Sequence, residues 1–407
     1  MRFFDELETR SADQRARDLA KALPRQIAHA QAHAPALATM LEGVDARAVT
    51  TVADLAHLPV IRKSELARAQ GAQPPFGGFA GLNPAGFEHV FQSPGPIYEP
   101  GRTTADWWRM ARFLHAADIG KGDIVQNCFS YHMTPAGMIF ESGARAVGAT
   151  VFPAGTGQTE LQARAAHDLG VTAYAGTPDY LKVILDRADA MDLRLQITRA
   201  AVGGGALFPS LRQEYADRGI ACLQCYATAD LGNIAYESAA QEGLIVDEGV
   251  IVEIVTPGTG NPVAAGEVGE VLVTTLNPDY PLIRFATGDL SAVLPGESPC
   301  GRTNMRIKGW MGRADQTAKI KGMFVRPEQV ADLVARHPEV ARARVVVTRE
   351  GEQDVMTVQF EADSALEMAA LEASILSVLR LRGRAERVGL GTLPNDGKVI
   401  DDRRTYD

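Results

Sequence analysis

The chain is short of cysteine, of positive charge and of long apolar runs, and each shortage closes off a class of protein. Four cysteines in 407 residues, Cys128, Cys222, Cys225 and Cys300, are too few and too scattered for a disulfide framework. Cys222 and Cys225 have the two-residue gap of a metal or redox pair, yet they stand in an apolar, strand-like run whose alternate side chains face opposite ways. They read as core thiols, and Cys300 joins a zinc site only if the fold carries the pair to it. Lysine and arginine total 41 against 50 acidic residues, a net charge of −9. That balance argues against nucleic acid as the main partner, because phosphate backbones call for a concentrated basic face. No stretch of about eighteen apolar residues occurs, so neither a transmembrane helix nor a membrane partner is expected. The N-terminus is charged from Arg2 and Asp5 onward and lacks the apolar run of a signal peptide, which implies a cytoplasmic protein. There is no internal repeat and no low-complexity segment.

What is present is the composition of a globular protein, 46% apolar and 22% charged. The length exceeds the size at which one core keeps growing, so two or three domains are expected. Leu19, Leu23 and Ile27 mark amphipathic helices early in the chain, and Ser64 reads as the cap of a short helix. Residues 73–86 crowd Pro and Gly together, as an irregular loop does. Residues 87–91 read as a strand leading into a loop, Ser93 to Gly101. A helix follows, with Trp107, Trp108, Met110, Ala111 and Leu114 on its apolar side. Strand-like runs at 123–127, 149–153, 172–176 and 199–205 then alternate with helices at 136–146, 160–169 and 180–190. That grammar implies a doubly wound, mostly parallel sheet with ligands beyond the carboxyl ends of its strands. After Gly243 come short alternating strands at 244–246, 250–255 and 270–275, the pattern of a small barrel or antiparallel sheet. Beyond Gly312 a helix at 328–337, strands at 343–348 and 355–360, and a helix at 365–381 form a small α+β lid. The fold class is α/β: a large N-terminal domain, 1–312, with a β-barrel-like subdomain at about 244–312, and a small mobile α+β domain, 313–407.

Two charged clusters between glycines punctuate this frame. Pro281 to Leu290 ends a strand-like run with Asp289 beside Gly288, where a carboxylate can accept two hydrogen bonds from a diol. In Gly312 to Gly322, Arg313 can grip the same ligand, and Asp315 begins a new element. Either turn alone is common in ordinary loops; their order and spacing give them meaning.

Several further motifs in a fixed order make the chain resemble the phenylacetate-CoA ligase family of acyl-adenylating enzymes, over nearly its whole length. Ala154 to Glu160 is similar to that family's Gly-Gly-Gln-Thr-Glu stretch, and Thr177-Pro178-Asp179-Tyr180 to its Thr-Pro-Ser-Tyr segment. Tyr226-Ala227-Thr228-Ala229-Asp230 stands where the family carries Tyr-Gly-x-Ser/Thr-Glu, and residues 283–289 match its Arg-x-x-Thr-x-Asp signature. Gly397-Lys398 stands at the place of the C-terminal Gly-Lys. The resemblance implies that ATP, Mg2+ and CoA are used, with a carboxylic acid as substrate and a homodimer as the assembly. It implies that Asp289 binds the ribose hydroxyls with Arg313, that Tyr226 lies against adenine beside Gly203 and Gly204, and that Asp230 positions Mg2+. Lys398 would reach the carboxylate and α-phosphate, Asp315 would be the hinge of the small domain, and Gly322 would line the thiol tunnel. Read without the family, Tyr226 fills core, Asp230 caps a helix and Lys398 is a solvated surface residue.

The pattern departs from the family at the phosphate loop. Members carry a Ser/Thr/Gly-rich loop with a Lys that holds the β- and γ-phosphates; this chain has Ser93-Pro94-Gly95-Pro96-Ile97-Tyr98-Glu99-Pro100. Three prolines remove amide donors, Ile97 replaces a hydroxyl and Glu99 places a carboxylate where Lys meets phosphate. Ala229 lacks the usual hydroxyl, and Asp230 is one methylene shorter than Glu. Either Arg102 or Lys398 compensates, or the chain keeps the scaffold to bind AMP, an acyl-adenylate or acyl-CoA without adenylating. Tyr131 and His132 fall where the family lines its acyl site, which points to an aromatic or similar organic acid; His132 is equally well a satisfied loop histidine. Transfer to a carrier-protein thiol instead of CoA stays open.

Overall fold

The computed structural model describes residues 3–314, 318–320, 323–350, 353–362, 367–394, 396 and 398–404, and divides the chain into two compact units. The first comprises Met1–Val252, Val273–Phe285 and Leu294–Gly309. After an N-terminal helical segment that includes the long helix Ala12–His33 comes helix α1 (Lys63–Ala72), whose first turn is closed by the Glu65 carboxylate accepting the Arg62 N–H at 3.2 Å. Ser64 therefore lies inside the helix and not at its cap. Next come β1 (His89–Ser93) and β2 (Ile97–Gly101), an antiparallel hairpin with Ser93 opposite Ile97. The stretch expected as an open loop from Ser93 to Gly101 is thus mostly strand. The helix expected over Trp107 to Leu114 is also shorter, Ala111–Ala116. Asp106 and Arg109 adopt left-handed conformations, φ 53° and 61°, and the Asp106 carboxylate accepts the Ala111 N–H at 2.8 Å, which delays the first turn.

Five short strands then build the parallel sheet: β3 (Ile124–Asn127), β4 (Thr150–Phe152), β5 (Ala173–Gly176), β6 (Arg199–Val202) and β7 (Ala221–Thr228), in the order β7-β6-β5-β3-β4. Helices α2 (Ala136–Ala146), α3 (Thr159–Asp168), α4 (Pro178–Ala190) and α5 (Pro209–Asp217) connect them. Their near-continuous apolar sequences suit strands covered on both faces. Alternate residues feed two cores: Val125, Ala173, Ala175, Ala201 and Leu223 pack with Phe113, Phe129 and Phe140, while Tyr174, Ala200 and Val202 pack with Leu181, Leu185 and Tyr215. Cys222 and Cys225 fall in different cores, all four thiols are free and buried, and among the described residues no group of three His, Cys, Asp or Glu side chains is arranged to hold a metal. The sheet runs on, antiparallel, through β8 (Gly232–Tyr236) and β9 (Leu244–Val246) to Arg306–Ile307.

The second unit comprises Glu253–Leu272, Ala286–Val293 and Trp310–Asp407. It takes half of β10 (Val250–Val255) and most of β11 (Val268–Thr275) and β12 (Phe285–Leu294). β12 runs on through Asp289 for five more residues, where the sequence reading ended a strand. After the pair Ala318–Ile320 and Met323–Val325 come α6 (Pro327–Ala335), β13 (Arg342–Glu350), β14 (Gln353–Glu361), α7 (Met368–Leu379), β15 (Arg384–Val388) and β16 (Ile400–Asp402). The last four strands form one mixed sheet, order β15-β14-β13-β16, over a core that includes Val330, Leu333, Val345, Val358, Phe360 and Ile375. The expected hinge Asp315 and tunnel residue Gly322 lie outside the described residues. No described helix is long and apolar enough to cross a membrane.

Candidate functional site

Each unit holds one group of polar side chains whose arrangement goes beyond folding. In the second unit the two glycine-flanked clusters lie side by side. The Leu290 N–H donates to the Gly312 carbonyl at 2.9 Å, the Met311 N–H to Leu290 at 2.9 Å and the Ala314 N–H to Gly288 at 2.7 Å. The chain reaches this pairing through Gly288 and Gly312 at φ 74° and 122°, which side chains rarely adopt. Asp289 and Arg313 become antiparallel partners, and Arg313 Nη1 donates to Asp289 Oδ1 at 3.0 Å. Trp310 Nε1 donates to the same oxygen at 3.1 Å. Asp289 is 8% exposed, whereas Trp310 is 57% exposed. A carboxylate so held has its plane fixed beside open solvent, as an acceptor of a ribose diol requires.

In the first unit the hairpin turns its polar side chains inward. The Ser93 hydroxyl donates to the Glu99 carboxylate, and both residues are buried. Burial pushes Glu99 up to about 8; Asp230 pushes the same way, and the Ser93 hydroxyl and Lys63 oppose it. Burial thus favours the neutral form of the Glu99 carboxyl, against the negative charge expected from the sequence at this position. Asp230, in the turn between β7 and β8, receives the Lys63 ammonium at 2.9 Å on Oδ2; its side chain is 1% exposed and that of Lys63 is 38% exposed. Glu99 Oε2, Asp230 Oδ1 and Tyr280 Oη are all buried without a hydrogen-bond partner among the described residues. They lie close enough for Asp230 and Glu99, after burial itself, to raise the Tyr280 hydroxyl well above its ordinary value. Buried polar atoms left unpaired mark a place prepared for something else. A single carboxylate oxygen suits Mg2+, which keeps most of its waters and takes its remaining ligands from substrate phosphates.

Other residues singled out from the sequence are placed as follows. Tyr226 sits on β7 opposite Ala235 at a register shift and is 9% exposed. Gly203 follows β6, its N–H on the Gly176 carbonyl at 3.2 Å, and Gly204 is exposed. Gly95 lies in the hairpin turn. The Tyr131 hydroxyl accepts from Asn127 Nδ2 at 2.8 Å, and burial raises its pKa and so keeps it neutral, while His132 is exposed. Lys398 is exposed, its backbone N–H on Asp396 Oδ1 at 3.0 Å. Arg102, expected as a compensating cation, is gripped by Asp279 at 2.5 and 3.2 Å and is not available for that role. Arg284 of the signature is buried, donating to the Ala56 and Leu58 carbonyls at 3.1 and 2.6 Å, so it pins a loop. Sequence reasoning missed Lys63, Tyr280 and Trp310. The signal for Trp310 was its place two residues before Gly312; nothing local marked Lys63, whose partner is 167 residues away.

Known proteins resemble the chain as follows. The AMP-binding enzyme family matches residues 104–277. A phenylacetate-coenzyme A ligase of Thermus thermophilus is 28% identical over 381 residues, 89% of this chain and 84% of that one. The phenylacetate-coenzyme A ligase of Escherichia coli is 31% identical over 268 residues, 62% of this chain and 60% of that one. Among solved structures, an open conformation of 2-hydroxyisobutyryl-CoA ligase with its acyl-AMP and CoA superposes with a TM-score of 0.71 at 22% identity, covering 95% of this chain and 90% of that one. That likeness establishes the fold, α/β with a large parallel-rich sheet and a separate smaller sheet domain.

Proposed function

We propose that this chain, similar to AMP-binding enzymes over residues 104–277 and to phenylacetate-coenzyme A ligases over most of its length, is an ATP-dependent carboxylic acid–CoA ligase. A carboxylate is a poor electrophile, so the acid is first activated. Its oxygen attacks the α-phosphorus of ATP, an O–P bond forms, and the bond to pyrophosphate breaks. The CoA sulfur, its proton lost to solvent, then attacks the acyl carbon, and the C–O bond to AMP breaks. The observation that carries this reading is Asp289 held by Arg313 and Trp310, a ready acceptor for the ribose diol. Tyr226, Gly203 and Gly204 are assigned to the adenine end. Lys398, on an exposed segment, is the cation for the developing charge at the α-phosphate, where a positioned donor is worth about 10²–10³ in rate. Asp230 would hold Mg2+, which supplies positive charge to the phosphates when bound. Displaced from Asp230, Lys63 is left beside the hairpin as the cation that the phosphate loop otherwise lacks. Asp315 as hinge, Gly322 as tunnel, Tyr131 and His132 as acyl-site residues, an aromatic acid as substrate, a homodimer and a cytoplasmic location complete the reading.

One feature favours a second reading, a ligase-fold protein that binds AMP, an acyl-adenylate or acyl-CoA without adenylating. The hairpin closes on itself through Ser93 and Glu99 and offers few donors to a triphosphate. The two are separated by incubating the protein with ATP, Mg2+, CoA and a panel of aromatic and aliphatic acids and weighing the acyl-CoA formed. The ligase reading expects an acid-dependent product that Lys398→Ala reduces at least 100-fold. Thermal stabilisation by AMP with no thioester from any acid supports the second reading instead.

A further inference from the structure

The second unit contains a cleft of about 400 Å³, within the range of small-molecule sites. Its floor is apolar, made by Val330 and Val334 of α6. One wall is the turn after β10, with Thr256, Thr259 and Asn261. That turn abuts the first turn of α6 at Gly258, where a Cβ would stand 3.0 Å from the backbone of Pro327 and Glu328, so the wall requires glycine. The opposite rim carries Arg342, Arg344 and Lys398, and Glu267 is the one carboxylate among the described lining residues. The cationic groups at the rim are two guanidinium groups, each with a carboxylate partner, and the Lys398 ammonium. Arg342 is backed by Glu361 at 4.0 Å. Arg344 is 2% exposed, its terminal nitrogens on Asp396 and, at 3.3 Å, the Pro394 carbonyl, while its Nε has no hydrogen-bond partner among the described residues. A buried donor with nothing to bond is a cost that a ligand oxygen removes.

We propose that this cleft binds an amphipathic organic anion, a carboxylate or phosphate monoester with an apolar body. The head group lies among Arg342, Arg344 and Lys398, and the body lies on Val330 and Val334. In this position the occupant engages Lys398 and slows activation of the acid, a consequence that rests on the ligase reading, whereas the binding itself does not.

The test is calorimetric titration of the full-length protein with phenyl phosphate and, separately, with phenylacetate. Saturable binding of either probe is expected, weakened at least tenfold by Val334→Trp, which fills the floor, and by Arg342→Ala, and unchanged in Asp289→Ala; a second phenylacetate component that Val334→Trp and Arg342→Ala leave unchanged belongs to the acyl site of the ligase reading. Binding of phenyl phosphate alone assigns the site to phosphate monoesters, and of phenylacetate alone to carboxylates. No saturable binding of either probe overturns the proposal, as does affinity lost in Asp289→Ala but kept in Val334→Trp and Arg342→Ala. Arg342 is half exposed, so Arg342→Ala keeps the test open should Val334→Trp not fold. Cleft binding in a protein that forms no acyl-CoA sinks the ligase reading alone; acyl-CoA formation without cleft binding sinks this proposal alone.

Discussion

Trp310 Nε1 lies 3.1 Å from Asp289 Oδ1, the oxygen that also receives Arg313. An indole that is largely open to solvent yet tied by its N–H to a buried carboxylate orients that carboxylate without covering it.

Trp310→Phe keeps the ring and removes the donor. A lost hydrogen bond to a charged acceptor at a half-open site is worth about 1 kcal/mol, roughly fivefold in affinity. The KM for ATP and the Kd for AMP are expected to rise by about that factor, with kcat within about twofold. Equal AMP affinities in the two proteins by calorimetry would show that Trp310 does not position Asp289.

Glu99 sets a pH dependence of stability. Its carboxyl is raised from 4.5 to about 8 in the fold, so the folded state holds a proton that the unfolded chain releases between those values. Its contribution is intact below about pH 4.5 and is lost as pH rises through about 8. Melting followed from pH 6 to pH 9 should show the wild type losing several degrees more than Glu99→Gln, which keeps a partner for Ser93 and cannot ionise. Parallel curves for the two proteins would contradict the protonated assignment.

Lys63 and Asp230 should be coupled. The ammonium is more than one-third exposed, so the pair is partly screened, and a coupling energy of about 1 kcal/mol is expected from Lys63→Met, Asp230→Asn and the double variant. Additive changes in thermal stability would make the 2.9 Å contact incidental.

The parallel-sheet frame was legible because its signals are local: helix α2 falls on the expected residues 136–146, and strands β3 to β6 lie within the expected runs. Trp107 to Leu114 misled because apolar spacing alone cannot reveal that the Asp106 carboxylate caps a later start. The sequence marked Asp289 and Arg313 as separate clusters, but their pairing depends on β12 running past Asp289. The charge state of Glu99 was not legible. A carboxylate in sequence carries its usual charge, and only burial opposite Ser93, in an environment shared with Asp230, removes it.

Acid-dependent exchange of labelled pyrophosphate into ATP, measured without CoA, tests the adenylation step itself. The account predicts exchange that requires both Mg2+ and an organic acid and falls at least 100-fold in Lys398→Ala. No exchange with any acid of a broad panel, together with no ATP binding by calorimetry, would contradict it.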